Sequence, residues 1–65
     1  MSFKKARIAA GLSVAQVMEA LKVSDAAVYQ WETGVTMPAG KRLPEIAKLY
    51  GCTIDELLAP DESNV

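Results

Sequence analysis

The chain has 65 residues, a net charge of −1, no histidine and a single cysteine, Cys52. Its length sets one domain that buries only about 60% of the surface its unfolded chain exposes, and the 51% hydrophobic and 23% charged fractions are those of a packed globular chain rather than a disordered one. The lone cysteine and missing histidine remove disulfide frameworks, ordinary zinc sites and the Ser-His and Cys-His catalytic pairs, so no cofactor is expected.

Apolar residues recur at intervals of three and four, and strand-type alternation never lasts, so the chain reads as short helices. The first runs from about Phe3 to Ala10, with Phe3, Ala6 or Arg7 and Ala10 on one side, a basic far face, and Gly11 as its stop. Ser13 and Gln16 fit a capping box that opens the second helix, whose Val14, Val17, Met18 and Leu21 share one stripe. Lys22 and Val23 make a tight turn, and Ser24 caps a third helix over residues 25–33. Val28 and Trp31 face inward there, which places Trp31 in the core rather than against a nucleic-acid base, and Gly34 ends the helix in a left-handed conformation.

Pro38 and Gly40 then break the chain. Pro44 suits the first turn of a fourth helix carrying Leu43, Ile46, Ala47 and Tyr50 at helical spacing, closed by Gly51. Cys52, beside that turn, is expected to fill a small half-buried gap. Thr53 and Glu56 form a second capping box for a short fifth helix with Ile54, Leu57 and Leu58. The organisation is thus one domain, residues 1–59, followed by an acidic tail, 60–65, expected to be frayed.

No apolar run approaches the ~20 residues of a membrane span, and Met1-Ser2-Phe3-Lys4-Lys5 lacks the apolar stretch of a secretion signal. A cytoplasmic protein with no membrane partner is expected. Charge is segregated: residues 1–48 hold all seven basic side chains against Glu19, Asp25, Glu32 and Glu45, a net +3, whereas the remainder, with Asp55, Glu56, Asp61 and Glu62, is −4. Such a split suits a basic face turned to phosphate and an acidic end turned away; a solvated surface of mixed charge is the plainer reading.

The informative stretch is Ser13 to Gly34, two capped helices of about two turns each joined by a few residues. Helices joined so tightly cross steeply, leaving one end of the second projecting, as a major groove requires. The series Arg7-Ile-Ala-Ala-Gly11-Leu12-Ser13, Val17-Met18, Leu21-Lys-Val23-Ser24, Val28-Tyr-Gln-Trp31-Glu32-Thr-Gly34 and Pro38 resembles the phage-repressor-like helix-turn-helix domains of the Cro and repressor type, also called the xenobiotic-response-element family. Leu43-Pro-Glu-Ile46-Ala47-Lys-Leu49-Tyr-Gly51-Cys-Thr53-Ile-Asp-Glu-Leu57-Leu58 extends the resemblance over nearly the whole chain apart from the tail.

The resemblance implies an all-α, compact five-helix bundle of the lambda-repressor type that binds double-stranded operator DNA, usually as a homodimer, with the third helix in the major groove. Ala26, Ala27, Tyr29 and Gln30 then face the bases. Gln30 can pair with an adenine edge through both ends of its amide, the alanine methyls can meet a thymine methyl, and Tyr29 can donate to a phosphate or pack on a sugar. Arg7 and Glu32 occupy the positions of a structural ion pair, with a phosphate contact as the second role of Arg7. Ser13, Val14 and Ser24 at the helix starts, together with Lys22, Lys41, Arg42 and the first-helix lysines, are the phosphate candidates.

The chain departs from the family pattern at four places. Val14 stands where a glutamine often holds a phosphate, so only backbone contact is open to it. Asp25 stands where a second glutamine often opens the recognition helix; it can accept from cytosine N4 or merely cap. The loop after Gly34, often basic, reads Val35-Thr36-Met37, and Lys22 occupies a turn position where glycine is common. These departures support a competing reading, a protein-interaction module with Val14, Tyr29, Val35 and Met37 as an exposed apolar patch. Catalysis has no support, because there is no phosphate-cradling glycine loop, nucleophile beside a base or ligand cluster. The region around Leu49, Ile54, Leu57 and Leu58 is the candidate dimer surface, with closure of the monomer core as the alternative role for most of these side chains. So short a chain leaves no room for an effector domain, so no small-molecule effector is expected and repression by operator occupancy is the simplest mechanism.

Overall fold

The computed structural model describes residues 2–59, so the tail expected to fray, 60–65, lies outside the described residues. Five helices follow one another: α1 (Phe3–Ala9), α2 (Val14–Leu21), α3 (Asp25–Thr33), α4 (Leu43–Tyr50) and α5 (Ile54–Leu58), with a 3-10 turn at Gly40–Arg42 leading into α4. No strand occurs among the described residues, and no helix is long and apolar enough to cross a membrane.

The helix starts are built by side chains. Ser2, Ser13, Ser24 and Thr53 each sit in extended backbone and accept from the amide three residues on, satisfying a donor that has no intrahelical acceptor. At Ser13–Gln16 and Thr53–Glu56 the bond is returned to the cap amide, at 2.8 Å and 2.9 Å, so both capping boxes are complete. The ends are set by left-handed backbone. Glycines supply it after α1, α3 and α4, but after α2 the residue is Lys22, at φ 58°, the one non-glycine in that region among the described residues. A β-carbon there crowds the carbonyl and costs about 1 kcal/mol.

Phe3, Ala6, Val17, Leu21, Val28, Trp31, Ile46, Ala47, Tyr50 and Leu57 form the core, and no polar or charged residue among the described ones is buried with them. α1 packs on α3, α4 and α5, and α2 on α3, so α1 acts as the post around which the others are set. Trp31 is buried as its spacing from Val28 predicts. Ala10 is exposed and α1 stops at Ala9. On α5 packing against α1 and α4 separates the two leucines sharply: Leu57 is 1% exposed and Leu58 45%.

Candidate nucleic-acid interface

The second and third helices and their connection carry the candidate interface. α3 has two unlike faces: Val28 and Trp31 lie in the core, while Asp25, Ala26, Tyr29 and Gln30 are exposed. Because the inner face is fixed by packing, the outer residues are held in a set row at one surface, which is what base reading by a helix requires. Ala27 is half-buried and packed against the core, so its methyl serves the fold as well as any contact outside. The Asp25 carboxylate, in the first turn of α3, accepts from the Ala26 amide at 2.7 Å.

Tyr29 is half-exposed. Gln30 is held from below, since its carbonyl accepts from the amides of Gly34 and, at 3.0 Å, Val35 as the chain leaves the helix. Beside it, Val35 and Met37 are 70% and 60% exposed, whereas Val14 of the same supposed patch is half-buried against the core. The apolar patch therefore consists of Tyr29, Val35 and Met37.

The basic residues divide into two groups. Arg7 is committed to the fold: Nε donates to Glu32 Oε2 at 2.6 Å, Nη2 to Oε1 at 3.3 Å, and Nη1 to the Leu12 carbonyl at 3.0 Å. The two side chains are only 12% and 5% exposed, and the carboxylate raises the Arg7 pKa beyond its ordinary value against an opposing effect of burial. The pair joins α1 to the end of α3. Arg42 is likewise engaged, donating from Nη1 to the Leu21 carbonyl at 2.9 Å with Glu45 3.8 Å away. It completes the last turn of α2, a role that no sequence pattern indicates because the partners are 21 residues apart. Lys22 and Lys41 are exposed, and Lys22 sits at the junction between α2 and α3.

At the start of α2 the capping box occupies the amides of Ser13 and Gln16. The first-turn amides of Val14 and Ala15 have no intrahelical acceptor, so they point out of the helix as donors for an anion. Ser24 Oγ is engaged with the Ala27 amide at 3.2 Å and keeps its hydroxyl hydrogen for a further acceptor.

Two other titratable groups mark the structure beneath this surface. Burial pushes the Tyr50 phenol up to about 12, aided by the charge of Glu32, and its hydroxyl is buried without a hydrogen-bond partner. Burial raises the Cys52 thiol, with Glu56 adding to it, consistent with an inert, half-buried filler. No group of three or more potential metal ligands occurs among the described residues.

Comparison with known proteins agrees with this geometry. A relative, the HTH-type transcriptional activator BcrR of Enterococcus faecalis, is 39% identical over 56 residues, which cover 86% of this chain and 28% of that protein. The chain thus spans about a quarter of the length of the curated relative it matches. No solved structure matches. The helix-turn-helix family model matches residues 3–57, from the first residue of α1 to the last core residue of α5. With the capped α2–turn–α3 unit, the exposed outer row of α3 and this match together, the chain belongs to the helix-turn-helix family of DNA-binding domains.

Proposed function

We propose that this domain regulates transcription by binding an operator in double-stranded DNA, with α3 in the major groove and Ala26, Tyr29 and Gln30 against the base edges. The observation that carries the reading is the outer row of α3, exposed and polar-edged on a helix whose inner face is locked by Val28 and Trp31. Gln30 supplies an adenine-type pairing and Ala26 a thymine-methyl contact. Phosphates are held by the free amides that open α2 and by Lys22 and Lys41, with Ser24 as a further donor.

The proposed active form is a homodimer, since a two-fold operator matches a symmetric pair of domains. Leu58, exposed beside half-buried Ile54, is the proposed centre of its interface. Leu57 belongs to the core instead. Leu58→Asp is expected to leave a folded monomer in sedimentation analysis, whereas global unfolding would return Leu58 to the core.

Occupancy alone is sufficient to repress, by excluding polymerase from an overlapping promoter. The relative's name, an activator, favours the opposite sign, in which the same binding serves recruitment. A second reading, docking of a protein partner on the Tyr29, Val35 and Met37 patch, is favoured by the exposure of those side chains. Titration of labelled duplexes, from beside the chain's own gene and from unrelated sequence, at several salt concentrations separates these readings. Tight binding to the first that falls steeply with salt supports the operator reading. Equal and feeble binding to both duplexes at low salt contradicts it.

A further inference from the structure

We propose that Thr36 is a positioning residue for base reading, which holds the Gln30 carboxamide in place on the outer surface of α3. The inference rests on the reading of Gln30 as a base-contacting side chain.

After Thr33 the chain reverses through Gly34, at φ 83°, so that successive amides converge on the Gln30 carbonyl: Gly34, then Val35 at 3.0 Å, then Thr36 at 3.4 Å. The reversal lays residue 36 over residue 30. There the Thr36 hydroxyl faces Gln30 Oε1 at 3.5 Å, longer than an ordinary O–H···O bond, so the contact biases the carboxamide weakly rather than clamping it. The neighbouring Thr33 hydroxyl is turned to main chain instead, 2.9 Å from the Tyr29 carbonyl. Thr36 is therefore the hydroxyl that reaches the glutamine head group.

The geometry of the amide lets the bond persist on DNA. A glutamine reading adenine accepts from the N6 amino group on the oxygen lone pair nearest its own nitrogen, and donates from Nε2 to N7. The second lone pair of the same oxygen remains for Thr36. An exposed glutamine free of any partner must give up its rotamer freedom on binding, and a side chain already restrained gives up less. The loop after α3 thus contributes to specificity through Thr36 although it lacks basic residues.

The test uses the whole chain and a site selected from a random duplex pool. Dissociation constants are measured for all four base pairs at the position where Gln30→Ala loses its preference. Thr36→Val is expected to reduce the adenine preference about 2- to 10-fold, with the melting temperature and the salt slope unchanged. Thr36→Ser, which keeps the hydroxyl, is expected to restore it. Full adenine preference in Thr36→Val overturns the proposal, as does a uniform loss on every base pair with a shallower salt slope, which would make Thr36 a phosphate contact. If Gln30→Ala changes no preference at any position, the reading of Gln30 fails first and this proposal with it.

Discussion

Replacing Glu32 with leucine leaves the Arg7 guanidinium between α1 and α3 with the Leu12 carbonyl as its one remaining acceptor of the three oxygens it now holds. Losing one partner of a buried pair costs about 3–5 kcal/mol, and the 12% exposure of Arg7 places this site at the lower end. A chain of 65 residues is stable by only about 3–10 kcal/mol. A loss of about 3 kcal/mol is expected to lower the midpoint by roughly 12–24 °C, or to unfold the domain outright. Urea and thermal melts followed by helical circular dichroism measure it. Combining Glu32→Leu with Arg7→Met removes both charges and is expected to recover most of the loss, leaving about 1 kcal/mol for the Leu12 carbonyl. A cost below about 1 kcal/mol for the single substitution, or no recovery in the double, would refute the view that this pair fastens α3 to α1.

Lys22→Gly removes the crowding of left-handed backbone and is expected to stabilise the fold by up to about 1 kcal/mol. It is also expected to reduce the slope of log K against log salt by about 0.9 if Lys22 meets a phosphate; an unchanged slope would take Lys22 out of the interface. Arg42→Met leaves the Leu21 carbonyl without its charged donor and is expected to cost about 1–3 kcal/mol in urea melts. Tyr50→Phe removes an orphaned hydroxyl and is expected to be neutral or mildly stabilising at pH 7. In the folded chain Tyr50 ionises near 12 against 10 ordinarily, so between those values the unfolded chain has released a proton that the folded one keeps. Stability is therefore expected to fall as pH rises from 10 to 12, by at most about 2 kcal/mol, and this fall is expected to be smaller in Tyr50→Phe.

The starts of α2 and α5 were legible because each is written locally, as a hydroxyl residue with glutamine or glutamate three positions on, and that of α3 because Ser24 is a cap residue; the stops of α1, α3 and α4 were legible because glycine marks a left-handed turn. Lys22 was legible as a misfit at such a turn. The Arg7–Glu32 pair followed from resemblance and not from spacing, since nothing local joins residues 25 apart. A separation of 21 residues likewise hid the bond from Arg42 to Leu21. Thr36 was hidden for another reason: its contact with Gln30 depends on the reversal through Gly34, whose course a sequence does not state. On α5, five residues are too few for periodicity to tell Leu57 from Leu58, and only packing against α1 and α4 distinguishes them.

Amide chemical shifts during titration of the labelled domain with its selected duplex test the central claim most directly, because they report which face of the domain meets DNA. The account expects the largest changes at Ser13–Ala15 and from Ser24 through Gln30, with Tyr29 and Gln30 side chains among them and the outer surface of α5 nearly unmoved. Changes concentrated at Leu49–Leu58, or at Val35 and Met37 with α3 unmoved, would contradict it.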